Sequence, residues 1–190
     1  MNKKTNSVIN WHYRLHILVE GAILIAFAEI LSFLPFYKLP WGGSIDLAML
    51  PIIIGCVRWG FGPGMLISLA HAILQTLFEG GIAIGWQSIV GDFLLAYTVL
   101  GFAGLFRGKF IPAAIVACIL RFLVHYVVGA TIWAEYMPEM FFGMTMTTPW
   151  FYSALYNGAY MLPDMLLVLI AGILLLKTPA GKYLQNRDIS

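Results

Sequence analysis

Charge is what this chain has least of. Lys, Arg, Asp and Glu make up 11% of its 190 residues, while 61% are hydrophobic; an average soluble domain carries roughly 25% charged residues. A soluble core of this size cannot hide so much apolar surface, because a good part of any small domain faces water. Cysteine is scarce too. Cys56 and Cys118 stand alone in apolar runs, without C-x-x-C spacing, and read as small buried side chains rather than a disulfide or metal site. No basic cluster interleaved with aromatics is present and net charge is only +2, so nothing points to nucleic acid as a partner. The dinucleotide, P-loop, zincin and nucleophile-elbow signatures are all missing, which leaves no catalytic motif to build on. His12 and His16 are spaced i,i+4 but lack a third ligand, so neither a metal nor a cofactor is expected. The polar stretch Met1–Val8 leads into Trp11-His12-Tyr13-Arg14 rather than a short apolar run with a cleavage site, and no signal peptide is expected.

What the chain does have is six apolar segments, at about 15–34, 46–57, 65–79, 88–106, 111–133 and 152–176. A membrane-crossing helix needs about 20 such residues. The expected fold is an all-α membrane protein, one integral membrane domain over 1–190 with six transmembrane helices. Segment two is barely long enough, and Pro51 within it predicts a short or kinked helix. Asp46 stands where it would cap that segment. Arg58–Gly64 reads as a tight turn, while Lys38–Ser44 and Ala134–Trp150 read as loops. With the N-terminus inside, Lys3, Lys4, Arg14, Arg58, Arg107, Lys109, Lys177, Lys182 and Arg187 all fall on the cytoplasmic side; only Lys38 is in an outer loop. An odd number of crossings would split that set, so both termini are cytoplasmic.

Polar groups inside these segments carry the chemistry, since ionisable residues within a span face the protein interior or a water-filled cavity. Arg121, His125, Gly129 and Trp133 recur every four residues and share one drifting helix face. Asp92 lies in the same membrane half as His125, as a ligand partner or a helix-start cap. Tyr152, Tyr156 and Tyr160 form a stripe with Asn157 beside it, read either as ligand contacts or as interfacial aromatics. Asp164 is deeper and suits a helix–helix contact or a pairing with Arg121; His71 suits helix packing. A carboxylate, an imidazole, an amide and aromatic faces together match a flat, cationic heteroaromatic ligand. Small residues around Ala22 and Ala26 permit close approach of another helix, inside this protein or in a partner.

The chain resembles the thiamine-specific S-component, the substrate-binding membrane subunit of bacterial energy-coupling-factor (ECF) transporters. The resemblance spans nearly the whole length. It is carried by Gly42-Gly43-Ser44 through Met49-Leu50-Pro51, by Asp92–Ala96 through Gly101–Arg107, by His125 with Trp133, and by Tyr152 with Asn157-Gly158. It implies a six-helix ECF S-component-like bundle in the bacterial cell membrane, multi-pass in lipid, without ATPase activity. Such a subunit binds thiamine tightly at its outer side. It works with a transmembrane scaffold subunit and two cytoplasmic ATPases, toppling within the membrane to deliver the vitamin. Carried over by position, the ligand-binding residues are Asp92, His125, Trp133, Tyr152 and Asn157, with Trp41 the nearest match to a further tryptophan. The docking motif of the first helix falls on Ala22 and Ala26. The expected function is therefore high-affinity thiamine capture. The alternatives are an S-component for another heteroaromatic vitamin or a thiamine precursor, a membrane-embedded enzyme using Asp92 and His125 as an acid–base pair, and an assembly subunit that binds nothing.

Overall fold

The computed structural model describes residues 3–179 and Gly181, with side chains placed from Trp11 onward except Ile82. Helix α1 covers Lys3–Phe33. It starts well before the apolar segment because nothing in the polar stretch breaks a helix; composition marks where the span begins, at Trp11, not where the helix does. It stops ahead of Pro35, which disfavours helical geometry in the residue before it.

Helix α2, Met49–Trp59, has 11 residues, about 16 Å at 1.5 Å per residue, too short for a bilayer core of about 30 Å. All of it but Leu50 is buried. A helix apolar on every side belongs in the middle of a bundle, and the others surround it. Pro51 falls in its first turn, where no helical N–H bond is due, so the proline neither frees a bonded acceptor nor kinks the helix. Asp46 stands ahead of the capping position itself, which is Ala48: its Oδ1 accepts the Ala48 N–H at 2.8 Å, and Oδ2 accepts the Ser44 hydroxyl at 2.8 Å.

The expected turn at Arg58–Gly64 shrinks to one residue. Gly60, at φ 85° and ψ −174°, breaks the chain, and α3 resumes at Phe61 and runs to Glu79. Only glycine adopts that backbone freely. Its lack of bulk is used as well: a Cβ on Gly104 would lie 2.6 Å from the Gly60 carbonyl carbon, so the end of the fourth helix rests directly on the α2–α3 link. The Gly108 N–H donates to the Val57 carbonyl and Arg107 Nε to the Arg58 carbonyl, closing the same seam. This end of the bundle carries Arg58, Arg107 and Lys109, as the charge distribution predicts. Lys182 and Arg187 lie outside the described residues, as do the side chains of Lys3 and Lys4.

Helix α4 spans Trp86–Phe106 and is irregular. One α-helical turn is followed by a π-helical stretch, Ile89–Leu95, then Ala96–Thr98, then a 3-10 stretch, Val99–Phe106. Helix α5 is Phe110–Thr131, with Pro112 harmless in its first turn. Helix α6 is Pro149–Leu176; Thr148 caps it by accepting the Phe151 N–H at 3.2 Å. Two antiparallel ribbons replace expected loops, β1 (Tyr37–Lys38) with β2 (Ser44–Ile45), and β3 (Met140–Phe141) with β4 (Met144–Thr145).

Among the described residues five helices are long and apolar enough to cross a membrane, and α2 is a shorter sixth. Large apolar side chains such as Leu18, Ile23, Leu66, Leu77, Leu105 and Leu174 are more than half exposed around the outside, which water would penalise and lipid does not. Polar contacts bind α1 inward, among them a Gln75 Nε2 donation to Ser32 Oγ at 3.1 Å. Glu20 Oε1 pairs with Arg58 Nε at 2.6 Å. Glu29, almost fully buried, meets His71 Nδ1 at 2.7 Å and accepts from Gln75 Nε2 at 2.9 Å. His71 is thus a helix–helix residue, as its apolar surroundings suggested.

Candidate functional site

The irregular part of α4 presents Asp92 to α5. Its Oδ1 accepts the His125 Nδ1–H at 3.0 Å. Its Oδ2 accepts both the Trp133 indole N–H at 2.7 Å and the Ser88 hydroxyl at 2.9 Å. Every one of these partners is a side chain, so Asp92 is not a helix-start cap. A π-helical turn is a local departure that recurs at functional sites, and here it coincides with the one carboxylate aimed at α5. The His125 side chain is 11% exposed and Asp92 17%. His125 Nε2 is buried and has no hydrogen-bond partner among the described residues, an arrangement that costs free energy unless something else supplies the bond.

Of the four residues spaced along α5, two reach Asp92 directly. Trp133 does so from just beyond the helix end, with its ring edge-on to Tyr136. Gly129 allows α6 to come close, since a Cβ there would lie 2.4 Å from Ser153 Oγ. Arg121 goes elsewhere. Its guanidinium lies 4.3 Å from the centre of the Tyr97 ring, a cation–π contact, and no hydrogen bond or ion pair to it is made among the described residues. Of the two roles open to Asp164, the pairing with Arg121 is not made among the described residues, and a contact between elements is: Asp164 Oδ1 accepts the Asp46 backbone N–H at 2.9 Å, tying α6 to the start of the α2 segment.

Asn157 is 4% exposed and fully engaged by protein. Its Nδ2 donates to the Ser153 carbonyl and hydroxyl and, at 3.3 Å, to the His125 carbonyl. Its Oδ1 accepts the Tyr160 hydroxyl at 2.8 Å. The amide therefore holds α6 against the turn that carries His125. Tyr160 in turn is edge-on to His125, ring centres 6.4 Å apart.

Above this polar group sits an aromatic cap. Trp41, between β1 and β2, packs edge-on against Phe141 and Phe142 at 5.3 and 5.1 Å, and its carbonyl accepts the Tyr156 hydroxyl at 3.1 Å. Tyr152 meets Phe141 at 5.2 Å and Tyr156 at 5.7 Å. So Asp92, His125 and Trp133 form one hydrogen-bonded unit, Asn157 supports it, and Trp41 and Tyr152 join it only through the cap. Sequence reasoning missed Phe141 and Phe142, which sat inside a stretch read as loop; the aromatic pair before Gly143 was the available signal. It also missed Ser88, four residues before Asp92 on a helix, which is the spacing of neighbours on one face. Ala22 and Ala26 are exposed on the outside of α1, away from all of this. No group of three metal-ligating side chains occurs among the described residues.

A half-buried carboxylate, a half-satisfied imidazole and a cluster of edge-on and tilted rings favour a cationic heteroaromatic guest, bound by charge-assisted hydrogen bonds and ring contacts. Comparison with known proteins agrees in kind. The family model described as "Thiamine transporter protein" matches residues 18–183. The thiamine transporter ThiT of Bacillus subtilis is 28% identical over 179 residues, covering 85% of this chain and 90% of the relative. ThiT of Lacticaseibacillus paracasei is 24% identical over 191 residues, covering 88% and 90%. A solved structure of ThiT from Listeria monocytogenes superposes with a TM-score of 0.77 at 26% identity, covering 91% of this chain and 98% of that one.

Proposed function

We propose that this chain, which belongs to the thiamine transporter protein family, captures thiamine in the outer half of the membrane between the Asp92–His125–Trp133 unit and the aromatic cap. It is a multi-pass protein of the bacterial cell membrane, and its relatives are transporters rather than enzymes. Thiamine is cargo here, not a cofactor.

The observation that carries the reading is the hydrogen-bonded meeting of Asp92 and His125 inside a lipid-facing bundle. An unpaired charge at that depth costs several kcal/mol, and the aminopyrimidine and cationic thiazolium of thiamine offer the donors and the charge that suit it. Asp92 takes the donor edge, His125 a second polar edge, and Trp133, Tyr152 and Trp41 the ring faces, with Asn157 holding α5 and α6 in register. Delivery across the membrane is assigned to a scaffold subunit and two cytoplasmic ATPases of the ECF type, docking on the exposed face of α1 at Ala22 and Ala26. This chain has no nucleotide-binding motif of its own to drive transport.

Titration of the purified protein with thiamine, followed by competition with riboflavin and with separate pyrimidine and thiazole compounds, tests the assignment. Saturable thiamine binding that riboflavin does not displace supports it. A tighter partner among the competitors would move the assignment to that compound.

A further inference from the structure

The geometry assigns to Ser88 the orientation of the Asp92 carboxylate. Ser88 is a positioning residue that fixes the plane of the carboxylate, and with it the direction of the lone pair left open beside His125. The inference rests on the reading of Asp92 as a thiamine contact and deepens it.

Ser88 is completely buried. Ser88 is the third residue of α4, so no helical carbonyl lies four residues before it to take its hydroxyl. The hydroxyl points forward and donates to Asp92 Oδ2 at 2.9 Å, across the junction where α-helical geometry gives way to the π-helical stretch. An ionised carboxylate has about four lone-pair directions, two on each oxygen. The Ser88 hydroxyl and the Trp133 indole N–H occupy both on Oδ2, whereas Oδ1 holds only the His125 Nδ1–H. The remaining capacity therefore lies on Oδ1, next to an imidazole whose Nε2 has no partner.

The two donors on Oδ2 differ in how firmly they are held. Trp133 lies beyond the last residue of α5, in a short irregular stretch, and is only half-buried. Ser88 is enclosed, on the same helix as the carboxylate, with little freedom to turn away. Without it, the plane of the carboxylate is free to tilt about its Cβ–Cγ bond, and the open lone pair no longer has a fixed direction. With it, one orientation of the plane is selected before the ligand arrives, so less ordering is needed on binding.

The test is a double-mutant cycle read by calorimetric titration of the purified full chain with thiamine, with thermal unfolding of each ligand-free variant alongside. Ser88→Ala is expected to weaken thiamine binding about tenfold while leaving the unfolding temperature close to that of the parent. In an Asp92→Ala background the same substitution should add less than about twofold, because no acceptor is left for the Ser88 hydroxyl to orient. Should Ser88→Ala fail to fold, Ser88→Cys keeps the volume with only a weak donor and must show the same loss. Parental affinity in Ser88→Ala overturns the positioning role while Asp92→Ala is weakened, and so do losses that multiply across the cycle. If Asp92→Ala itself binds thiamine as well as the parent does, the assignment of the site falls, and the role of Ser88 with it.

Discussion

His125 and Asp92 are 33 residues apart in sequence and joined by a 3.0 Å hydrogen bond between α5 and the π-helical part of α4. With the carboxylate ionised, Nδ1 carries the proton and the orphaned Nε2 is an acceptor. One bond thus fixes both the ring's tautomer and its orientation toward a guest.

Asp92→Asn replaces one of two accepting oxygens with a donor, which must then face a hydrogen already supplied by His125, Trp133 or Ser88. Thiamine affinity should fall at least tenfold, about 1.4 kcal/mol, in a calorimetric titration. An unchanged dissociation constant would remove the carboxylate from the site.

His125→Ala takes away the Nδ1 donor and the free Nε2 together. A loss of about tenfold or more in thiamine affinity is expected, whereas His125→Asn, which can restore a donor toward Asp92, should recover part of it. Equal affinities for the parent and the alanine variant would show that no ligand edge meets the imidazole.

Gly129→Ala forces a methyl to within 2.4 Å of Ser153 Oγ and 3.2 Å of Asn157 Nδ2. The α5–α6 contact must open to admit it, with an expected destabilisation of about 1–3 kcal/mol. Thermal unfolding in detergent measures this, and thiamine binding should weaken as well because the same opening shifts His125.

Glu29→Ala leaves His71 buried without its acceptor and Gln75 Nε2 with Ser32 Oγ alone, at about 1–3 kcal/mol for a donor stranded in this way. Pairing Glu29→Leu with His71→Phe removes the polar groups from both sides and should unfold closer to the parent than Glu29→Ala does. A melting temperature unaffected by Glu29→Ala would mean that the cluster adds nothing to the α1–α3 contact.

Ala22→Trp places a large ring on the exposed side of α1, far from the polar unit. Thiamine affinity should stay at the parental value while co-purification with the scaffold subunit drops. Full recovery of the complex would place the docking surface elsewhere.

The sequence revealed helices more readily than what lies between them. Apolar runs sufficed for the all-α membrane fold and the number of main helices, because lipid forces backbone groups to pair within a segment. Helix ends were harder to read, since α1 and α3 extend through residues whose composition resembles a linker or a turn. The meeting of Asp92 with His125 was legible because both are costly at that depth and both fall in the outer half. The destination of Arg121 was not. Which acid or ring a buried cation meets depends on helix rotation, and the Asp46 backbone had already claimed Asp164. The aromatic cap was hidden for a related reason: its two-residue strands are too short to show alternation.

The seam where Gly104 rests on Gly60 has a bearing on traffic. Side chains swing aside on fast timescales, but two main chains in van der Waals contact part only when whole helices separate. The floor of this protein is built the second way and its roof, of hairpins and rings, the first. On the proposed reading, a guest held under the roof leaves when hairpins and rings swing aside, whereas passage through the floor requires helices to part.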